Sequence, residues 1–425
     1  MDSKLENEIS ELLQNNVITR DVAQNILAYY QSKKAGKPNR LFVIFGVLGA
    51  VLVGLGLILI LAHNWDQLSK WKKTIFAFSP LFLAQILAGY TILKNKSRTW
   101  IESIGTFLFF TIGSSIALVA QIYNISGDLS SYLFTWTVLA IPMIYLMRSN
   151  ALALLCLVYA TYYAVEEGYS LFNTSSEPWW YFVLILAIAP FYLRMLKLNP
   201  KTNMTSVFNW LFPLSLVLVL GAFVRTNDEL GLLMYVILFG LLYNIGQMPL
   251  FNTQKLRRNG YLILGSIGTV VMLLIFSFDV ESHDVRILKY NMPEFQICLV
   301  LTLMIISVLV YSYFKNRIKV FNPFQYVFVF MISLVLSGFI NTTVFAVTVN
   351  ALVLTLGLFT IKIGTEKRHL GILNYGLSVI TALVVCRFFD TDMSFVIRGV
   401  LFVCVGSGFF IANYAMLKRQ KNNIS

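Results

Sequence analysis

Residues 41–73 read LFVIFGVLGAVLVGLGLILILAHNWDQLSKWKK, and this stretch decides the fold class. It opens with an uncharged apolar run of about twenty residues, which at about 1.5 Å per residue crosses the hydrocarbon core of a bilayer, about 30 Å thick. The run ends abruptly at a polar and aromatic cluster formed by His63, Asn64, Trp65 and Asp66. The pattern predicts a membrane-spanning helix that ends at the depth of the lipid head groups.

The composition of the whole chain repeats this membrane character. Of the 425 residues, 57% are hydrophobic and only 12% are charged, whereas soluble domains carry about 25% charged residues. A lipid bilayer is therefore the expected partner of most of this apolar surface. The net charge of +13 would suggest nucleic-acid binding in a soluble protein. Here the positions of the basic residues explain it as a topology signal, and no nucleic-acid partner is expected.

Further apolar segments follow the first, and together they predict an all-α polytopic membrane bundle of about fourteen spanning helices. The predicted spans lie near residues 41–62, 74–93, 101–121, 130–147, 151–166, 178–196, 207–224, 231–250, 260–278, 295–314, 322–340, 343–361, 372–389 and 393–417. They form a predicted membrane domain over residues 41–417, which is followed by a basic cytoplasmic tail over residues 418–425.

Charge alternates between the connections that join these spans. The connections on the side of the N-terminus carry basic residues, namely Lys94, Lys96, Arg98, Arg148, Arg194, Lys197, Lys201, Lys255, Arg257, Arg258, Lys315, Arg317, Lys319, Lys362, Lys367 and Arg368. The opposite connections are mainly acidic, although the first of them contains Lys70, Lys72 and Lys73. By the positive-inside rule, both termini are expected in the cytoplasm.

The prefix over residues 1–40 is predicted to form a cytoplasmic amphipathic helical hairpin followed by a basic linker. Apolar residues recur at helical spacing from Leu5 and Ile9, and again from Val22 and Ile26. Two short amphipathic helices must bury their apolar stripes against each other, the membrane surface or another protein. Two interpretations stay open: the hairpin packs on its own membrane domain, or it recruits a membrane-protein partner.

Small residues spaced four apart predict close helix packing in two spans, because small side chains let helix backbones approach each other. They are Gly46, Ala50 and Gly54 in the first span, and Gly113 and Ala117 in the third. Gln121 lies on the same predicted face as Ala117. We therefore expect the side chain of Gln121 to point into the bundle rather than toward lipid.

Few polar residues lie deep in the remaining spans. Gln85 and Asn350 are the main ones, and each is expected to form a hydrogen bond between helices. Ionisable residues are almost absent from the middle of the spans, where a charge costs roughly 2.5–3.5 kcal/mol. Their scarcity disfavours a proton- or sodium-driven pump.

Polar and charged residues instead gather near the predicted outer face. This outer cluster consists of His63, Asn64, Trp65, Asp66, Gln121, Tyr123, Asp128, Arg387 and Arg398. It could form a cavity for an anionic or sugar-bearing head group, with Arg387 and Arg398 as phosphate contacts. The alternative is that these residues anchor helix ends at the interface and form local ion pairs.

The sequence has no established catalytic or metal-binding signature. It contains no paired His at metal spacing, no Gly-rich phosphate loop and no nucleophile elbow. The cysteines all lie in apolar runs, at Cys156, Cys298, Cys386 and Cys404. We therefore expect no metal, no cofactor and no catalytic residue, with acid–base chemistry at His63 and Asp66 as a weak alternative.

Two motifs resemble those of a known family. They are AHNWDQL at residues 62–68 and AQIYNISGD at residues 120–128, the second followed by Trp136. They resemble a family of bacterial membrane proteins known as domain of unknown function 2157, over roughly residues 5–148. The resemblance implies a bacterial plasma membrane location and, by analogy, a complex with another membrane protein. It also implies a recurrent family core formed by His63, Asn64, Trp65, Gln121, Tyr123 and Asp128.

Three functions stay open on the sequence alone. The span count, the small-residue faces and the outer cluster favour a transporter or flippase-like protein that handles an amphiphilic or lipid-linked substrate near the outer leaflet. The second is a non-catalytic scaffold or assembly factor that docks a partner through the N-terminal hairpin. The third is a membrane glycosyltransferase with Asp66 in its first outer loop, which the short outer loops disfavour.

Overall fold

The computed structural model describes residues 3–15, 17–35, 68–169, 176–225, 227–252, 254–278, 292–315, 322–337 and 342–390, with short pieces between residues 396 and 414. The chain divides into two compact units, residues 1–76 and residues 77–425. The predicted first span, most of the predicted last span and the basic tail lie outside the described residues.

The prefix contains two helices, α1 (Ser3–Gln14) and α2 (Arg20–Ala35). Ile9 of α1 and Ala23 of α2 are buried. Asp21 lies in the first turn of α2, where its negative charge interacts favourably with the positive end of the helix dipole.

The remaining described residues form an all-α bundle, and the helices follow the predicted spans closely. They are α3 (Lys70–Leu93), α4 (Arg98–Tyr123), α5 (Leu129–Met147), α6 (Asn150–Tyr169), α7 (Trp180–Leu198), α8 (Asn203–Leu220), α9 (Asp228–Gly246), α10 (Gly260–Ser277), α11 (Pro293–Phe314), α12 (Val327–Ser337), α13 (Thr342–Glu366) and α14 (Leu370–Asp390). Among the described residues, ten helices are long and apolar enough to cross a membrane. The predicted class, an all-α polytopic membrane bundle, is confirmed, whereas the number of fourteen spans is not established.

Polar side chains begin several of these helices. Asp128 accepts a hydrogen bond from the backbone N–H of Ser131, and Asn227 and Asn259 cap α9 and α10 in the same way. Such caps satisfy backbone donors that a helix start leaves without partners. Local sequence therefore fixes where these helices begin.

Successive helices from α4 to α10 pack on each other through short connections, and so do α13 and α14. Helices joined in this way run antiparallel, so that their connections alternate between two ends of the bundle. We call one the basic end, because its connections carry Lys94, Lys96, Arg148, Lys201, Lys255, Arg257, Arg258, Lys367 and Arg368. We call the other the acidic end, because its connections and helix starts carry Asp128, Glu177, Asp228 and Glu229.

The centre of the bundle is α9, which is buried on all sides by α10, α11 and α12. Its contact with α10 is unusually close. A Cβ atom added at Gly265 would lie 2.4 Å from the backbone nitrogen of Tyr243, and one added at Gly246 would lie 2.6 Å from that of Leu262. Only glycine allows the two backbones to approach this far.

Prolines interrupt four of the helices, at Pro80, Pro142, Pro190 and Pro213. A proline removes a backbone N–H and disturbs the preceding turn, which in a membrane must be stabilised by neighbouring side chains. The hydroxyl of Ser115 donates to the carbonyl of Ala77, three residues before Pro80, at 2.8 Å. The hydroxyl of Tyr145 donates to the carbonyl of Ala187, three residues before Pro190 of α7. Neighbouring helices thus donate hydrogen bonds to carbonyls just before two of the prolines.

Candidate functional site

An apolar groove of about 480 Å³ lies between α3, α4 and α5. It is lined by Phe78, Leu81, Gln85, Leu108, Ile112, Ser115, Ile116, Val119, Ala120, Ile125, Leu139 and Met143. Ile125 lies in the connection at the acidic end, whereas Met143 lies fourteen residues after the start of α5, roughly 20 Å along the helix. The groove therefore extends from the acidic end of the bundle past the middle of a spanning helix.

The face of α3 that is buried consists of small residues. The buried residues of α3 are Ala77, Ala84, Ala88 and Thr91. Phe78, Leu81 and Gln85, at positions i, i+3 and i+7, share another face of the helix and line the groove. The small residues of α3 are thus buried, whereas the larger side chains beside them border the groove.

The wall of the groove that α4 and α5 form is closely packed. The indole N–H of Trp136 donates to the carbonyl of Phe109 at 2.7 Å, and the Trp136 ring lies 4.5 Å from the ring of Tyr159. A Cβ atom at Gly113 would lie 2.3 Å from the Trp136 ring. The hydroxyl of Tyr132 donates to the Gly113 carbonyl at 3.1 Å. Gly113 thus lies at a close contact between α4 and α5.

Asp128 fixes the start of α5 beside the groove. Its carboxylate accepts hydrogen bonds from the Ser131 backbone N–H at 3.0 Å and the Ser130 hydroxyl at 3.2 Å. The hydrogen bonds from Ser131 are the main cause that lowers the pKa of Asp128. Asp128 is therefore an ionised helix cap at neutral pH.

Gln121 does not have the inward orientation that we predicted. Gln121 and Ala117 are exposed, whereas Gly113 is buried. Positions four apart on an α-helix are rotated by about 40° from each other, because each residue turns the helix by about 100°. Over eight residues this rotation carries the face from the interior to the surface. Tyr123 is also exposed, at the end of α4.

The two deep polar side chains differ from the prediction as well. Gln85 lines the groove and has no hydrogen-bond partner among the described residues. The side-chain oxygen of Asn350 is buried, and it too lacks a hydrogen-bond partner in the part of the chain that is described. The expected hydrogen bonds between helices are therefore missing at these atoms. Periodicity could not reveal this, because it does not say which side chain faces a polar partner.

Arg387 lies in another part of the bundle. Its guanidinium donates to the carbonyl and the hydroxyl of Ser277, at 2.8 and 2.9 Å, and lies 5.1 Å from the centre of the Phe278 ring. A cation at the C-terminus of α10 complements the helix dipole. Arg387 is not among the residues that line the groove. The cavity predicted for the outer cluster stays a prediction.

Several predicted residues lie outside the described part of the chain. These are His63, Asn64, Trp65, Asp66 and Arg398 of the outer cluster, and Gly46, Ala50 and Gly54 of the first predicted packing face. Their predicted roles stay predictions. Among the residues that are described, no group of three His, Cys, Asp or Glu side chains is arranged to hold a metal ion.

Glu294 is a buried carboxylate that the sequence analysis did not single out. It is fully buried at the start of α11, and its Oε1 accepts the backbone N–H of Arg225 at 2.6 Å and that of Asn227 at 3.3 Å. It therefore joins the connection before α9 to α11. The available signal was an acidic residue directly after Pro293, a common arrangement in the first turn of a helix.

Glu102 has a similar role at the basic end. It accepts hydrogen bonds from the Ser149 hydroxyl at 2.5 Å and the Ala151 backbone N–H at 2.8 Å, and it pairs with Arg98 at 2.9 Å. A carboxylate at the first turn of α6 satisfies backbone donors and favours the helix dipole. The spacing of Arg98 and Glu102 indicated the ion pair, but only the tertiary structure brings α4 to the start of α6.

Comparison with protein families gives one match, and comparison with curated proteins and with solved structures gives none. The family described as "Predicted membrane protein (DUF2157)" matches residues 10–153, about one third of the chain. Every residue that lines the groove lies within the matched range. The predicted resemblance to this family is confirmed over residues 10–153. The chain is a multi-pass membrane protein, and over these residues it is similar to that family of predicted membrane proteins.

Proposed function

We propose that this protein is a transporter or flippase-like protein of the bacterial plasma membrane that handles an amphiphilic or lipid-linked molecule at the outer leaflet. The groove between α3, α4 and α5 is the observation that carries this proposal. Its volume of about 480 Å³ lies within the range of roughly 300–1,000 Å³ that is usual for ligand sites. Its lining is almost entirely apolar, which suits an alkyl or prenyl chain.

The direction of the groove supports a role in crossing the membrane. A chain that entered beside Ile125 would lie along α4 and α5 as far as Met143, more than half the length of a spanning helix. The basic connections favour a cytoplasmic location for the basic end. With that orientation, the entrance beside Ile125 faces the outer leaflet.

A lipid-translocation assay tests this proposal. The purified full chain is reconstituted in liposomes that contain a lipid with a fluorescent acyl chain, either phosphatidylglycerol or glucosyl diacylglycerol. Dithionite, which does not cross the bilayer, bleaches only the probe that reaches the outer leaflet. We expect the protein to increase the bleached fraction of at least one probe over protein-free liposomes.

Two matched variants link the activity to the groove. Leu139→Trp places a large side chain in the groove, and Leu186→Trp makes the same change on the lipid-facing surface of α7, where the side chain is 73% exposed. We expect Leu139→Trp to abolish translocation and Leu186→Trp to leave it unchanged. The proposal is wrong if the bleached fraction of neither probe is higher with the wild type than in protein-free liposomes. It is also wrong if the two variants give the same bleached fraction.

The N-terminal hairpin supports a second candidate function, that of a scaffold. Although Ile9 is buried, Leu12 of α1 and Val22 of α2 are 39% and 44% exposed. Glu8 and Glu11 are exposed as well. Glu8 is a neighbour of Leu12, four residues on, and of Glu11, three residues on, because residues three and four apart are neighbours on a helix. An apolar surface with acidic neighbours fits a partner protein that presents apolar and basic side chains.

Charge reversal tests the scaffold function. A photo-crosslinking amino acid at Leu12 is used in native membranes, with Glu8→Lys and Glu11→Lys introduced together. We expect a crosslinked partner in the otherwise wild-type chain and its loss after reversal, whereas Glu366→Lys, an exposed position on α13, retains it. A crosslinked product that is unchanged by the reversal would exclude a basic partner at this surface.

A further inference from the structure

We propose that Gln85 is the ligand-binding residue of the groove and that it hydrogen-bonds the uncharged, hydroxyl-bearing head group of a glycosyl glycerolipid. This inference rests on the proposed function, because it names the substrate class of the same groove. Three observations support it. They are the depth of Gln85 in the membrane, the lack of a hydrogen-bond partner for its amide among the described residues, and the uncharged lining of the groove.

Gln85 lies deep in the bilayer. It follows Lys70, the first residue of α3, by fifteen positions and precedes Leu93, the last residue, by eight. At about 1.5 Å per residue, these separations are roughly 22 Å and 12 Å. A hydrocarbon core of about 30 Å therefore includes Gln85, away from the head groups of either leaflet. A ligand that moves along the groove would bring a polar group to this depth.

The side chain of Gln85 faces the groove. It is exposed there, and no hydrogen bond to it exists within the described residues. An amide offers two N–H donors and one carbonyl acceptor. Hydrocarbon provides no water to satisfy them, so that an amide without partners is costly there. A ligand that carries several hydroxyl groups, each both donor and acceptor, removes this cost.

The lining of the groove selects against a charged head group. All of its side chains are uncharged, and apart from Gln85 only Ser115 is polar. The hydroxyl of Ser115 already donates to the carbonyl of Ala77. A phosphate at the depth of Gln85 would have no positive charge beside it, and a charge in hydrocarbon costs more than a hydroxyl. A sugar needs only hydrogen bonds.

The apolar lining requires that this sugar be linked to a lipid. Phe78, Leu81 and Ile112 contribute only hydrocarbon surface to the groove. A free sugar would bury its hydroxyls against these side chains without gaining the hydrophobic contribution that an alkyl chain provides. A glycosyl diacylglycerol places its acyl chains on the apolar lining and its hydroxyls at the amide.

Photolabelling with two matched lipids tests the inference. Glucosyl diacylglycerol and phosphatidylglycerol, each with a diazirine on the same acyl carbon, are incorporated separately in liposomes with the full chain. After irradiation, labelled peptides of α3, α4 and α5 are quantified by mass spectrometry. We expect the glycolipid to label the groove more than phosphatidylglycerol at equal concentration.

A variant isolates the contribution of the amide. Gln85→Leu preserves the size of the side chain and removes its hydrogen bonds, which should reduce groove labelling by the glycolipid about three- to tenfold. Labelling by phosphatidylglycerol should not change. Thr355→Val is the control, since this exposed threonine on α13 bonds only to its own helix. A thermal unfolding midpoint within a few degrees of the wild type establishes that Gln85→Leu is folded.

The outcomes separate this inference from the proposed function. Groove labelling by neither lipid would count against the proposed function itself. Labelling by both lipids that Gln85→Leu leaves unchanged would retain the groove as a lipid site and overturn the role of Gln85. Preferential labelling by phosphatidylglycerol would overturn the uncharged substrate class.

Discussion

Helices α3 and α9 are equally apolar, yet α9 is largely buried in the bundle and α3 is largely exposed on its surface. Their most apolar windows have the same mean hydropathy, but 78% of that window is buried in α9 and only 22% in α3. The neighbours of α9 approach through glycine, as at Gly265. On α3, by contrast, a Cβ atom added at Gly89 would meet nothing within 4 Å.

The comparison shows that apolarity places a helix in the membrane but does not place it in the bundle. Lipid chains and leucine side chains are equally apolar, so that no hydrophobic effect drives one helix against another inside the bilayer. Close packing and hydrogen bonds between helices decide instead. The groove lies where both are sparse, and the core lies where glycine permits the closest contacts.

The largest expected effect is at the contact between α9 and α10. Gly265→Ala would place a Cβ atom 2.4 Å from the Tyr243 nitrogen and 2.9 Å from the Phe239 carbonyl oxygen. Both are backbone atoms, which cannot move aside without shifting a helix. We expect a loss of about 2–3 kcal/mol in the free energy of unfolding, measured by denaturant titration in mixed micelles.

The same substitution on α3 is its control. Gly89→Ala adds a Cβ atom to open space, and we expect a change within about 0.5 kcal/mol. Equal effects of Gly265→Ala and Gly89→Ala would remove the basis of the comparison, because the two helices would then be packed alike.

A second prediction concerns the closely packed wall that α4 and α5 form in the groove. Gly113→Ala places a Cβ atom 2.3 Å from the Trp136 ring, which the hydrogen bond to Phe109 holds in position. We expect a loss of about 2 kcal/mol in the free energy of unfolding. In a double-mutant cycle with Trp136→Phe, the smaller ring should relieve part of this loss. If the two changes in the free energy of unfolding simply add, the two residues do not interact. The contact between α4 and α5 would then be as open as the surface of α3 at Gly89.

A third prediction concerns the start of α5. Asp128→Ala removes a helix cap and should cost about 1 kcal/mol at neutral pH. Ser131 lowers the pKa of Asp128 in the folded protein. Stability from the ionised cap is therefore present above the ordinary aspartate pKa of about 3.9, and it is lost as the pH falls through the lower folded value. The wild type and Asp128→Ala should thus converge below about pH 4.

The measurement is thermal unfolding of both proteins over a series of pH values in the same detergent. A stability difference that persists unchanged at pH 3 would show that Asp128 acts through packing rather than through its charge.

The smallest expected effect is at the polar contact between α3 and α4. Ser115→Ala leaves the carbonyl of Ala77 without its hydroxyl donor, and hydrogen bonds between helices in membranes contribute about 0.6 kcal/mol on average. The neighbouring Ser114→Ala is the control, since that hydroxyl bonds only to Thr111 of its own helix. Unfolding free energies that do not differ between the two variants would mean that the hydrogen bond from Ser115 to Ala77 does not stabilise this contact.

Much of the fold was predictable because it is local. The apolar runs predicted the helices from α3 to α14, and caps such as Asp128 mark their starts through bonds to residues only two or three positions away. The match over residues 10–153 likewise follows from motifs that are continuous in the sequence.

The candidate site was predictable only in part. The motif around Gln121 and Asp128 indicated the right region of the chain, since Ala120 and Ile125 line the groove. The predicted role of Arg387 as a phosphate contact stays a prediction, and the contact of its guanidinium with the end of α10 could not be foreseen. A residue near a helix end has many neighbours in a bundle, and no local pattern says which of them it meets.

The sequence by itself determined the membrane class, the positions of the described helices and the alternation of charge between their connections. Each follows from the length and polarity of one segment in a bilayer of fixed thickness. Only the tertiary structure decided that α9 is central, that α3 leaves a groove and that Gln85 faces it. These depend on which side chains meet across helices, and among equally apolar surfaces that choice rests on small differences in shape.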